Sequence, residues 1–407
     1  MGITRRGFLR NGALAVAGTA AIPSFLTRAS FGADSVGNKR LVVIFQRGAA
    51  DGLNIVVPHG EAAYYAMRPS INIPRSSVID LDGFFGLHPA MASLQPLWEQ
   101  RHLAIVHATG SPDPTRSHFD AQDGMESGTP GVKGINDGWL NRALRGLQSA
   151  QKSSFRAIAL SPALPRILSG EEPALALNSF DGFGVGGRSG DVNPFEAMYA
   201  PSVDLVLHDM ERERLQAVRA LKAADPGRYT PARGANYPRG RFGDSLKELA
   251  QLIKANLGVQ VAFADIGGWD HHVNEGSTHG QIANVLHEFA QSLSAFWVDL
   301  DDHGEETVVV TMSEFGRTAR ENRNRGTDHG HANVMFVMGG PVKGGKVYGR
   351  WPGLDQSQLY EGRDLAVTTD FRGVLGETVY LHLGNKALDQ VFPGFANPKA
   401  DFLGLLG

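Results

Sequence analysis

The chain contains no cysteine among its 407 residues. That one absence removes disulfide staples, thiolate metal ligands, iron–sulfur clusters and cysteine nucleophiles together. Any metal bound here must rest on Asp, Glu, His or water. No Gly-rich dinucleotide fingerprint follows the first strand-like run, which argues against a nicotinamide or flavin enzyme. Neither sign of charge dominates, with 39 Lys and Arg against 42 Asp and Glu. A weakly acidic chain is a poor candidate for sequence-independent nucleic-acid binding. There is no internal repeat, no heptad run and no low-complexity tract.

What is present begins with a targeting segment. Thr4-Arg5-Arg6-Gly7-Phe8-Leu9-Arg10 reads as a twin-arginine signal, residues 12–26 as its mildly apolar middle, and Phe31-Gly32-Ala33 as an end suited to cleavage. An uncleaved anchor is the competing expectation, although the apolar run is short for a membrane span. Residues 1–33 are therefore set aside as a leader, with the twin-arginine translocase as a partner during export and the periplasm or extracellular space as destination. Removing them takes away four arginines and no acids, leaving 35 basic against 42 acidic residues, a formal charge of −7. The remainder, 34–407, with 42% hydrophobic content over the whole chain, is long enough for one large domain.

Apolar runs of strand length recur at residues 39–45, 103–107, 155–160, 259–266, 307–312 and 334–338, and helical spacing lies between them at 87–98, 138–147, 203–224, 244–257, 281–300 and from Asp370 to Leu383. Continuous apolar strands alternating with helices point to a mostly parallel sheet covered on both faces. The stretch 161–240, rich in Pro and Gly, reads as a cap or insertion. Ligands in such folds bind beyond the carboxyl ends of strands, and there the chemistry-bearing residues collect. Asp51 follows the first strand, though it reads equally as an Asp-Gly turn residue. Trp269-Asp270-His271-His272 follows the fourth, and Glu314 the fifth. Thr327-Asp328-His329-Gly330-His331 precedes the last. A carboxylate and two imidazoles within four residues, twice over, suit a divalent metal held by nitrogen and hard oxygen. Thr115-Arg116-Ser117-His118 sits in a loop running into a helix, where a hydroxyl can be a nucleophile or anion site; Ser117 is equally an N-cap.

These motifs, with Val43-Ile44-Phe45-Gln46-Arg47-Gly48-Ala49-Ala50-Asp51-Gly52, Ser111-Pro112-Asp113-Pro114-Thr115-Arg116-Ser117-His118-Phe119-Asp120-Ala121-Gln122-Asp123 and Ser313-Glu314-Phe315-Gly316-Arg317, resemble the twin-arginine-exported bacterial family catalogued as domain of unknown function 1501. The resemblance covers nearly the whole chain. It implies the alkaline phosphatase and sulfatase superfamily, and so a three-layer α/β/α sandwich. It further implies a pair of divalent ions, zinc first with manganese or calcium as alternatives, acting on a small anionic phosphate or sulfate ester. Asp51, Asp270 and His272, Glu314 in place of an Asp, and Asp328 with His329 or His331 then look like metal ligands. Ser117 or Thr115 looks like the nucleophile and Arg116 like an oxyanion holder, with His118 a further catalytic candidate. Glu314-Phe315 stands where the pattern has Asp-His, so the partner His is missing or comes from elsewhere, with His118 as one source. A non-catalytic exported binding protein on the same fold is the alternative that this departure favours.

Overall fold

A computed structural model describes residues 39–147, 153–179 and 229–407. The expected leader and the helix expected over 203–224 lie outside these residues. In chain order the strands are β1 (Arg40–Gln46), β2 (Val56–Val57), β3 (Ile79–Asp80), β4 (Gly86–Leu87), β5 (Leu103–Gly110), β6 (Ala157–Ala159), β7 (Leu175–Ala176), β8 (Val261–Ile266), β9 (Thr307–Met312), β10 (Asn333–Gly339), β11 (Lys346–Tyr348) and β12 (Thr369–Asp370). Nine of them form the main sheet in the order β11-β5-β10-β9-β1-β8-β6-β7, with β12 beside β5; β2, β4 and β3 make a small separate sheet. Every pairing in the main sheet is parallel except those of β10, which runs against both β9 and β5.

Both faces of this sheet are buried, and the strand alternation divides the core in two. Val42 and Ile44 of β1 face one cluster, with Phe242 and Leu246 of helix α2 (Arg241–Lys254) and Phe289 and Phe296 of helix α3 (Gln281–Leu300). Leu41, Val43 and Phe45 face the other, with Trp139, Phe392 and the Phe371, Val374 and Leu375 side chains of helix α4 (Phe371–Glu377). Burying each such side chain fully is worth about 1.5–3 kcal/mol, so two apolar layers fix the sheet between them. The three-layer α/β/α sandwich with a mostly parallel sheet is the architecture that the sequence implies.

Several local expectations change. The single helix expected over 87–98 divides into a 3-10 turn (Pro89–Leu94) and a short α-helix (Gln95–Glu99), with Met91 off helical geometry. Pro96 falls in the first turn of the second piece, where its missing N–H costs nothing. The helix expected over 138–147 is confined to Trp139–Ala143. Within 161–240, β7 extends the main sheet, and residues 229–237 are pinned to α3 by Asp299. Its buried carboxylate accepts the Tyr229 and Tyr237 hydroxyls, the Lys254 ammonium and the Ala232 N–H at 2.7–3.0 Å.

One consequence of the strand order positions the site. The carboxyl ends of β1, β5, β8 and β9 emerge along one edge of the sheet, and because β10 is reversed, its amino end emerges there too. The segment preceding β10 is thereby delivered to the edge where ligands bind in parallel sheets.

Candidate metal centre

Four side chains from three separate segments converge at that edge. Helix α1 (His118–Ser127), capped by Ser117, presents His118; the turn after β8 presents Asp270 and His272; the segment before β10 presents His329. The His329 Nε2 lies 3.0 Å from the Nε2 of His118 and 3.0 Å from the Nε2 of His272. Asp270 Oδ1 is 3.0 Å from His272 Nε2 and 3.3 Å from His329 Nε2, and its Oδ2 is 3.6 Å from His118 Nε2. Asp270 is exposed and the imidazoles are half-buried, so the centre is open to solvent.

The far side of each ring decides what the near side can be. His329 Nδ1 contacts the Arg116 carbonyl at 2.9 Å, an atom that only accepts, so Nδ1 carries the hydrogen. His118 Nδ1 faces Glu314 Oε1 at 2.8 Å, and His272 Nδ1 faces Asp328 Oδ1 at 3.3 Å. Both acids are ionised. Burial pushes the Glu314 carboxyl up, but hydrogen bonds from His118, Gln122 and Gly48 hold it below the usual carboxylate range. Burial likewise opposes ionisation of Asp328, and hydrogen bonds from Asn322 and His272 outweigh it. Each ring thus turns its Nε2 toward the common point, and the hydrogen bond to Glu314, with the charges of Glu314 and Asp270, raises the pKa of His118.

Three imidazole nitrogens and an ionised carboxylate this close to one another call for positive charge among them, which a metal ion or protons on the rings can supply. Ligands of a four-coordinate ion at 2.0–2.1 Å lie about 3.3 Å apart; His118, Asp270 and His329 form a mutually close set in this range, and His272 lies 3.0 Å from both His329 and Asp270. Imidazole Nε2 donors whose other nitrogen is tied to a carboxylate or carbonyl are the usual arrangement around a bound metal. The residues present fit a divalent ion.

Buried groups hold this set in place. Arg317 donates from Nη2 to Asp270 Oδ1 at 2.6 Å, and from its other nitrogens to the carbonyls of Ala49 and Thr327. Burial opposes ionisation of Asp270, and the charges of Arg317 and His272 lower its pKa regardless. Glu314 Oε1 also accepts the Gly48 N–H and the Gln122 amide, and its Oε2 lies 3.0 Å from the Ser313 hydroxyl.

The expected site residues thus separate into three groups. Asp270, His272 and His329 converge, and His118, read from the sequence as a catalytic residue, joins them. Glu314 and Asp328 stand behind His118 and His272 instead of facing the ion's place. Asp51 and His331 lie outside the cluster. Asp51 is paired with Arg68, while His331 Nε2 bonds the Ser111 carbonyl at 3.0 Å and its ring lies 4.5 Å from that of Tyr360. The Arg116 guanidinium is bound to Asp364 and Glu361, so only its backbone carbonyl serves the centre. Thr115 Oγ1 accepts from the Ser117 N–H and Ser117 Oγ from the Asp120 N–H. Arg317 stands in a motif that the sequence displays, but nothing in its spacing marks it as the group that orients Asp270.

The model of the family described as "Protein of unknown function (DUF1501)" matches residues 38–379. No curated protein has a matching sequence. Solved structures with a distant likeness include the zinc complex of the C-terminal periplasmic domain of EptC from Escherichia coli. It is 9% identical, with a TM-score of 0.36, over 75% of this chain and 74% of that one. A sulfatase from Pseudoalteromonas is 11% identical, with a TM-score of 0.39, over 88% and 70% of the two chains. The phosphonate monoester hydrolase of Agrobacterium radiobacter is 10% identical, with a TM-score of 0.36, over 85% and 74%. Among the described residues no helix is long and apolar enough to cross a membrane.

Proposed function

Because this chain belongs to the DUF1501 family, whose description assigns no activity, its function has to be read from its site, and we propose an exported metal-dependent hydrolase of phosphate or sulfate esters. The observation that carries the proposal is the approach of His118, Asp270 and His329 to one another at a solvent-open point, with His272 beside them. His118, Asp270 and His329 would hold the ion, with His272 a neighbouring donor. Imidazole-rich sets suit zinc and its neighbours in the first transition row, whereas calcium takes six to eight oxygens. When bound, such an ion supplies Lewis acidity toward an ester oxygen and toward a nearby hydroxyl or water. Export rests on the Arg5-Arg6 leader motif.

The chain's own contribution is a hydroxyl, charge and orientation. Ser117 and Thr115 immediately precede the ligand His118. Each accepts one hydrogen bond through its oxygen yet keeps its own O–H, so either is available as the nucleophile at the start of α1. The loop between β9 and β10 carries the cations Arg320, Arg323 and Arg325. Their side chains are exposed and make no ion pair or hydrogen bond among the described residues. The loop that carries them is strapped to the His272 turn, through Asn274 N–H to the Asn324 carbonyl and Glu275 N–H to the Arg325 carbonyl. Planar guanidiniums at such a rim favour tetrahedral oxyanions.

A second reading, an exported metal-binding protein without turnover, is favoured by the departure at Glu314-Phe315, which stands where the superfamily pattern has Asp-His. One experiment separates the two. The full chain is purified from the periplasm without chelator, its metal is measured, and it is assayed on a panel of phosphate and sulfate esters beside a His118→Ala/His329→Ala variant. Metal and turnover lost together support the hydrolase. Metal without turnover supports the second reading, and absence of metal from the wild type sinks both.

A further inference from the structure

We propose that this centre takes one ion and not two, because Arg68 occupies the coordination sites on Asp51 that a second ion would need. The inference rests on the metal reading above. Asp51 leaves the carboxyl end of β1, one of the strand ends that build the site, and it is an acid that the sequence offers as a ligand. Both of its oxygens are taken: Arg68 donates from Nη1 to Oδ2 at 2.5 Å and from Nη2 to Oδ1 at 3.0 Å. The remaining guanidinium N–H groups donate to the carbonyls of Ala319 and Thr318 at 3.0 and 2.8 Å. Arg68 is 0% exposed and Asp51 2%. Turning Asp51 toward an ion would strand a fully buried guanidinium, which is far costlier than leaving the pair intact.

The charge around Asp51 is balanced without a second ion. Glu275, also fully buried, accepts the Asn54 amide at 3.2 Å and the Thr327 hydroxyl at 3.0 Å. Burial and the neighbouring Asp51 push its carboxyl well above the usual range. A neutral Glu275 beside an ionised Asp51 and a cationic Arg68 sums to zero. Asp270 Oδ1 is held at 2.6 Å by the buried Arg317, and Glu314 Oε1 is filled by His118, Gly48 and Gln122.

Metal content decides the matter without recourse to activity. Wild type, Asp51→Asn and an Asp51→Asn/Arg68→Met double variant are equilibrated with excess zinc, freed of loosely held ion by gel filtration, and analysed for metal per chain. The double variant removes both charges together and guards against misfolding of the single one. One ion in the wild type, retained in whichever Asp51 variant folds, is the expected result. Two ions in the wild type, one of them lost with Asp51, would overturn the proposal and leave the metal centre standing. None in the wild type would remove the centre itself.

Discussion

Glu314 illustrates how a single residue governs a site that it does not enter. Its carboxylate fixes the hydrogen on His118 Nδ1 and thereby frees Nε2, so its effect on a bound ion is exerted through the imidazole. Replacing it by Gln keeps the shape but removes the charge and leaves one acceptor oxygen for several donors. Glu314→Gln should weaken metal affinity by about 10–100-fold, measured by competition with a chromophoric chelator, with the fold intact by circular dichroism. Unchanged affinity would mean that His118 needs no such partner. The residue types of this centre are legible in the sequence, because Asp-His clusters at strand ends are conspicuous. Their division of labour is not. Nothing in the order Asp328-His329 says that the imidazole faces the centre while the acid orients His272 from another turn. The pairing of Asp51 with Arg68 is equally silent, since neither periodicity nor a motif links the two positions.

At the scale of elements, the strands and the two helices that cover one face are readable from apolar runs and helical spacing, and α3 falls over 281–300 as expected. The direction of β10 is not readable, because a strand buried on both faces has the same composition either way. What allows the reversal is close backbone contact between the exit of β9 and the entry of β10. Gly316 N–H donates to the His331 carbonyl and Gly330 N–H to the Gly316 carbonyl, at 2.9 and 2.8 Å. A Cβ on Gly316 would sit 1.8 Å from the Ala332 carbonyl oxygen, and one on Gly330 2.3 Å from the backbone of Arg317. Gly316→Ala should therefore separate these segments, costing about 1–3 kcal/mol of stability and displacing His329. A denaturant melt together with a metal titration tests this, and a variant with wild-type values for both would show that the contact is dispensable.

For the whole molecule, alternation of apolar strands and helices is enough to give the layered architecture, while the stability of the layers against acid depends on buried imidazoles outside the metal centre. His107 donates from Nε2 to the Val56 carbonyl and accepts the Ala108 N–H on Nδ1, an arrangement that only the neutral ring can make. Burial lowers its pKa to about 4, and burial does the same to His382, bonded to the Arg40 carbonyl. Below about pH 6.5 the unfolded chain protonates these rings and the folded one does not. Stability therefore falls as the pH drops from there toward about 4 and then levels off, by on the order of 3 kcal/mol for each residue. Urea unfolding across that window should show the slope, and a His107→Gln/His382→Gln variant should flatten it; a wild-type profile without slope would contradict the assignment.

The reversal of β10 has a consequence for how this protein can diversify. The excursion from β9 to β10 leaves and re-enters the sheet at the same edge, with its two ends clamped together where Gly316 meets Gly330. Between Thr318 and Asp328 the backbone is tied down at Ala319, Glu321, Asn324 and Arg325, while the Arg320, Arg323 and Arg325 side chains make no ion pair or hydrogen bond among the described residues. The charge of this loop can change by substitution while His329 and Arg317 stay where they are. Divergence in what such chains recognise is thus separable from conservation of how they hold an ion, and the two can evolve at different rates within a single loop.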